Sequence, residues 1–189
     1  MIYLIGGAPR VGKSILSHLV AAQLRIGWIS TDLLFDLLRY KKVAGTDGGW
    51  NADPQAIAAS AEWFFPCLER FVWGVSSMAE SYVIEGVSFL PEHVVRLSAQ
   101  YPIRSVFLGC SKMTLERFDR FPGCSVGYSF LPEATRQQFT QDIPGWSAFI
   151  RNEADRFASP YIDMSDDFPS RLHEAEQVLT SSSYQEEHQ

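Results

Sequence analysis

Residues 7–14 read Gly-Ala-Pro-Arg-Val-Gly-Lys-Ser, a complete G-x-x-x-x-G-K-[ST] run. The apolar stretch Met1 to Ile5 precedes it and the amphipathic stretch Ser14 to Leu24 follows it. Strand, glycine-rich turn and helix in that order form the geometry that grips a phosphate. The glycines let the backbone curl round an anion with no side chain in the way. Successive N–H groups then point inward, and the positive end of the following helix adds to the attraction. In such a loop Lys13 reaches the β- and γ-phosphates and the Ser14 hydroxyl ligates Mg²⁺. The expected nucleotide-binding set is therefore Gly7, Ala8, Pro9, Arg10, Val11, Gly12, Lys13, Ser14 and the adjoining Ile15. Arg10 either touches the γ-phosphate or faces solvent.

Four more strand-like runs follow, at 26–30, 82–86, 104–109 and 161–164, each with helical sequence after it. Leu33, Leu34, Leu37 and Leu38 recur at helical spacing after the second run, with Thr31 or Asp32 as the expected cap. Helices are expected to open near Pro91 and Glu92, to run from Met113 to Phe121, and to close the chain from Pro169 to Leu179. Alternation of this kind predicts an α/β fold with a parallel sheet covered on both faces. A long helix is expected over 54–81, its aromatic residues serving either the core or the wall of a substrate pocket. Residues 43–53 read as a loop, and 121–132, with two glycines and two prolines, cannot be regular. A helical stretch over 133–157 should kink at Pro144-Gly145. No repeat or shift in composition divides the chain, so one domain is expected over 1–181, with a lid at about 117–136 and a frayed tail at 182–189.

A net charge of −6 argues against broad binding to nucleic acid or anionic membranes, which rests on a basic surface. No apolar run approaches the ~20 residues of a membrane span. The N-terminus enters the first strand with no basic, apolar leader, so a cytoplasmic protein is expected. Cys67, Cys110 and Cys124 include no C-x-x-C pair, and the four histidines include no H-x-x-x-H pair, so no zinc site is expected.

Among proteins with this loop, a GTPase needs N-K-x-D to read guanine, and the chain has none. Its D-x-x-G, Asp142 to Gly145, lies far down a helical stretch. Phosphoryl transfer to an alcohol needs a carboxylate at the C-terminal edge of a strand beside the loop. Asp32 ends one strand and begins a helix, where it either takes the acceptor proton or only caps its helix. Glu85 closes an apolar strand, where it holds Mg²⁺ through water or orients the acceptor. A carboxylate there requires a charged partner or metal to offset desolvation. Arg117 and Arg120, three apart on one helix, lead into the irregular segment, with Arg136 beyond it. They either stabilise charge on the transferring phosphoryl group or pair in solvent with Glu116 and Asp119.

The strings Leu4 to Ser14, Ile29 to Asp32, and Val83 to Val87 with Pro91 resemble the P-loop small-molecule kinases. Within them the chain is most similar to adenylate-kinase-like proteins near the 2-phosphoglycerate and zeta-toxin-type kinases. The similarity covers the first ~90 residues well and the remainder as a pattern of strand, arginine-bearing helix and lid. It implies a five-stranded parallel sheet in the order 2-3-1-4-5, ATP with Mg²⁺, and a small-molecule acceptor. It also implies Asp32 as the acceptor-side base and Glu85 as an active-site acid. The chain carries Ser88 where the 2-phosphoglycerate kinases carry histidine, so their acceptor does not transfer with the resemblance. Two rival functions follow from the same residues: a nucleotide-binding regulatory protein without efficient transfer, and a nucleic-acid end kinase, which the acidic balance disfavours.

Overall fold

The computed structural model describes residues 1–41, 52–120 and 130–181. Most of the loop expected at 43–53, residues 121–129 of the expected lid, and the tail at 182–189 lie outside the described residues. The element order is β1 (Ile2–Gly7), α1 (Lys13–Leu24), β2 (Gly27–Ser30), α2 (Thr31–Tyr40), α3 (Pro54–Ser77), β3 (Tyr82–Glu85), α4 (Pro91–Ser98), β4 (Ile103–Gly109), α5 (Leu115–Arg120), α6 (Glu133–Arg156), β5 (Tyr161–Asp163) and α7 (Phe168–Thr180).

The five strands form one parallel sheet in the order β2-β3-β1-β4-β5. Its middle strands are buried on both faces, as parallel strands must be when helices cover both sides. Ile2, Leu4, Ile5, Val83, Ile84, Val106, Phe107 and Leu108 are all at most 1% exposed. The chain steps from β1 outward to β2, and from β3 across to β4 in the opposite direction. Right-handed crossovers then set the connecting helices on opposite faces. Accordingly α1 packs on β1, β2, β3 and α7, while α4 packs on β4 and α6.

Register decides where the site lies. Glu85 is level with Ile5 of β1 on one side and Ser30 of β2 on the other. One residue past Ser30 α2 begins at Thr31, and two past Ile5 the glycine loop leaves β1 at Gly7. The C-terminal edge of three adjacent strands therefore delivers the loop, Glu85 and Asp32 to one place.

The cap of α2 is Ser30, one position before the pair expected to serve. Its side chain accepts from the Asp32 N–H at 3.2 Å. Helix α3 is capped by Asp53, whose carboxylate accepts from Ala56 N at 2.9 Å, and opens with Pro54. It buries Ile57, Ala61, Phe64, Phe65, Leu68, Val72 and Val75, so most of its apolar side chains are core. Helix α3 stops at Ser77 rather than continuing to 81, because the chain turns through Ala79 in the left-handed region (φ 57°). Helix α6 runs on through Pro144. Nearby, Ser147 Oγ donates to Ile143 O at 2.7 Å and accepts from Cys110 N at 2.8 Å, joining α6 to the end of β4.

Candidate functional site

The phosphate loop leaves β1 at Gly7, whose φ is 130°. A side chain there would put its Cβ 2.0 Å from the Leu108 carbonyl oxygen, inside the β1–β4 pairing. Glycine is thus required twice over, by conformation and by close approach. Ala8 N donates to that same oxygen at 3.0 Å, which anchors the loop to β4. Ala8, Pro9 and Val11 are buried, Ser14 is half-buried and Ile15 is 37% exposed.

Lys13, the first residue of α1, is 6% exposed and donates from Nζ to Ala8 O at 2.6 Å. Desolvation pulls its pKa below the ordinary 10.5, and the charges of Glu85 and Asp32 pull it back up. Among the described residues the one hydrogen-bond partner of Lys13 is a neutral carbonyl, which leaves a buried cation under-satisfied. Additional negative charge arriving at the loop stabilises it. Glu85, 4% exposed, accepts from Ser14 Oγ at 3.2 Å. The two oxygens expected to serve a metal are therefore in direct contact across 71 residues of sequence. Hydroxyl and carboxylate oxygens at the mouth of a phosphate loop are hard ligands of the kind Mg²⁺ prefers, so the donor set fits that ion. Asp32 is exposed on the first turn of α2, with Ser30 performing the capping. Its carboxylate acts on Lys13 and is exposed to a ligand entering beside the loop. Lys13, Ser14, Glu85 and Asp32 are thus one cluster at the sheet edge.

Three of the arginines take partners outside this cluster. Arg10 turns its guanidinium to α5, where Nη2 donates to Phe118 O at 2.9 Å and the group sits 4.4 Å from the Phe118 ring centroid. Arg117 donates from Nη1 to Ser165 O and from Nη2 to Met164 O, in the connection between β5 and α7. Arg120 is exposed at the end of α5. Arg136 pairs with Asp119 at 2.7 Å, tying α6 to α5.

Two further side chains at this edge have partners that sequence does not specify. Asp163 Oδ1, at the end of β5, accepts from Ser111 N at 3.1 Å and from Ser165 N at 2.9 Å. Burial alone would raise its pKa, but hydrogen bonds from Ser111 and Ser165 outweigh that and lower it to about 2. This carboxylate pins the β4–α5 connection to the β5–α7 connection. His93, 2% exposed, accepts from Leu90 N through Nδ1 at 3.1 Å. That bond assigns the proton to Nε2, which donates to Glu62 at 3.0 Å and joins α4 to α3. Burial lowers the pKa of His93, against the opposing pull of Glu62. Cys67 and Cys110 are free thiols, and no cluster of metal-ligating side chains occurs among the described residues.

No protein-family model matches the chain, and no curated protein does. Solved structures do. A gluconokinase from Sinorhizobium meliloti 1021 superposes with a TM-score of 0.52 at 16% identity, over 94% of this chain and 90% of that one. An uncharacterized protein from Eubacterium ventriosum ATCC 27560 gives 0.51 at 18% identity, over 92% and 94%. A shikimate kinase from Bacteroides thetaiotaomicron gives 0.50 at 14% identity, over 94% of each chain. At such identities the likeness is one of fold, and it does not extend to the narrower resemblance with 2-phosphoglycerate and zeta-toxin-type kinases. The chain has an α/β fold with a phosphate-loop motif between β1 and α1 and a five-stranded parallel sheet in the order 2-3-1-4-5, a fold similar to that of the gluconokinase and the shikimate kinase.

Proposed function

We propose that the chain is an ATP-dependent phosphotransferase acting on a hydroxyl of a small molecule. The observation that carries this reading is the contact of Ser14 with Glu85 beside a buried Lys13 that feels both Glu85 and Asp32. A protein that only binds nucleotide has no need of a second carboxylate facing the loop. The fold shared with gluconokinase and shikimate kinase supports the same reading.

In this reading the loop amides and Lys13 hold the β- and γ-phosphates of ATP. Ser14 and Glu85 would hold Mg²⁺, which when bound would neutralise charge on the phosphate oxygens. Asp32 accepts a hydrogen bond from the acceptor hydroxyl. It takes the proton as the acceptor oxygen bonds to the γ-phosphorus and the bond to the ADP oxygen breaks. Arg117 and Arg120 stabilise charge on the transferring group. For Arg117 this means exchanging the Met164 and Ser165 carbonyls for phosphate oxygens, a trade of neutral acceptors for charge-assisted ones. The acceptor enters between α2, the end of β3 and α3. The domain is taken to span 1–181, with its lid at about 117–136, and to work in the cytoplasm. No helix among the described residues is long and apolar enough to cross a membrane.

The test is a transfer screen with labelled ATP and Mg²⁺ across sugars, sugar acids, nucleosides and aminoglycoside-like alcohols. One class should become labelled, and Asp32→Asn should slow that transfer by about 10²- to 10⁴-fold while keeping ATP affinity. Full turnover by Asp32→Asn removes the base assignment. ATP binding with no acceptor labelled favours a regulatory nucleotide-binding protein. Labelling of oligonucleotide ends with steep salt dependence favours a nucleic-acid end kinase.

A further inference from the structure

Arg10 occupies a costly backbone conformation. Its φ of 63° lies in the left-handed region, where a residue with a Cβ costs roughly 1–2 kcal/mol relative to the ordinary helical one. Glycine or asparagine would fill the position more cheaply. What an arginine adds is reach, and its guanidinium makes two contacts with one residue of α5. Nη2 donates to Phe118 O at 2.9 Å, and the group lies over the Phe118 ring at 4.4 Å, within the range of a cation–π contact.

Phe118 is a consequential residue to hold. Its carbonyl ties the α5 backbone to the phosphate loop through Arg10. Its ring is 3% exposed and meets Phe139 of α6 at 6.3 Å between centroids. The preceding residue, Arg117, donates to Met164 O and Ser165 O. A few residues on, the Phe168 ring at the start of α7 packs on Gly12, where an added Cβ would fall 2.8 Å from it. The contacts run from the phosphate loop to α5, from α5 to the β5–α7 connection, and from there back to the loop.

We infer that Arg10 is a positioning residue that couples occupancy of the phosphate loop to the setting of α5, and through it to Arg117 and Arg120. The inference rests on the proposed nucleotide binding. The root of the Arg10 side chain lies in the backbone that wraps the phosphates, so an adjustment of the loop on binding is carried straight to Phe118. Reciprocity then requires that the docking of α5 be felt in nucleotide affinity by the same factor.

The experiment compares the full-length chain with Arg10→Gly, Arg10→Lys and Phe118→Leu. Calorimetry with the non-hydrolysable analogue AMP-PNP and Mg²⁺ first measures binding. Amide hydrogen exchange then follows peptides covering the loop and α5 with and without the analogue. In the unaltered chain the analogue should slow exchange in both the loop and α5. In Arg10→Gly, which suits the left-handed backbone, affinity for the analogue should fall, and at saturating analogue the slowing in α5 should fall about fivefold or more relative to that in the loop, the low end of ordinary coupling between sites. Arg10→Lys, which restores a donor, should recover part of the effect. Phe118→Leu, which keeps the carbonyl and loses the ring, should weaken the analogue's affinity without touching the loop. Equal ligand-induced slowing of α5 in the unaltered chain and Arg10→Gly, with the analogue saturating in both, overturns the coupling and leaves the proposed function standing. No calorimetric heat from the unaltered chain overturns the nucleotide reading itself. If Arg10→Gly does not fold, the lysine and leucine variants decide: unchanged affinity and unchanged slowing of α5 in both overturn the inference.

Discussion

The contact between Gly86 and Thr31 fixes the start of α2 relative to the end of β3, and it can be measured. Gly86 follows Glu85 and donates its N–H to Ile5 O at 3.1 Å, so its backbone is tied to the central strand. A Cβ at that position would lie 1.7 Å from Thr31 Oγ1 and 2.9 Å from Thr31 Cβ. Thr31 is 0% exposed, and its hydroxyl has no hydrogen-bond partner among the described residues. Gly86→Ala should therefore cost about 1–3 kcal/mol as an overpacking change, before any backbone term. Thr31→Ala removes an unsatisfied hydroxyl, whose burial costs about 1–3 kcal/mol, together with a methyl group worth about 1 kcal/mol. That single variant should be near neutral or more stable. In the double variant the 1.7 Å clash is gone and the 2.9 Å approach is between two backbone-linked carbons. The two changes should thus couple favourably by about 1–2 kcal/mol. The φ of Gly86, 158°, adds a conformational cost common to both alanine-86 chains, so it cancels from the cycle. Urea unfolding of the four proteins, with equal m-values as the check on two-state behaviour, supplies the numbers. Additivity within about 0.5 kcal/mol would show that the two side chains do not compete for the same space and would refute the reasoning.

Glu85→Gln keeps the shape of the side chain and its contact with Ser14 Oγ but removes the charge, and should weaken Mg²⁺ binding to the ATP complex by about 10- to 100-fold. Metal titration by calorimetry measures this, and an unchanged metal affinity would remove Glu85 from the metal site. Hydrogen bonds hold Asp163 down to about 2 against the ordinary 3.8, so the folded chain releases this proton more readily than the unfolded one. Its stabilising contribution is complete above the ordinary value and is lost as pH falls from about 4 toward 2. Urea unfolding of the unaltered chain and Asp163→Asn should therefore converge in stability across that interval, and a constant difference would refute the assignment.

What could be read from the sequence is what each segment decides by itself. The loop between β1 and α1 was legible because glycines, lysine and serine at fixed spacing serve one geometry. The strands were legible because parallel strands buried on both faces are short apolar runs, and their edges moved by only one or two residues. The cap of α2 was misread because Ser30, Thr31 and Asp32 are three consecutive capping residues. The choice among them rests on which backbone is extended, and that is Ser30, at φ −90° and ψ 136°. Ser14 and Glu85 could be assigned to one site because each sits at the end of an element whose place in the sheet is set by topology. The partners of Arg10 and Arg117 could not be. Phe118 lies 108 residues from Arg10, and Ser165 lies 48 from Arg117. In both cases the acceptor is a backbone carbonyl, a group that nearly every residue of the chain carries. A long side chain with a choice among so many equivalent acceptors leaves no compositional mark of the one it takes. Pattern in sequence therefore identifies the loop and the alternation of strands with helices, while the order of the strands followed from the resemblance to the P-loop kinases. The arginines that link the loop to its surroundings are identified only once the fold has brought a particular helix end within their reach.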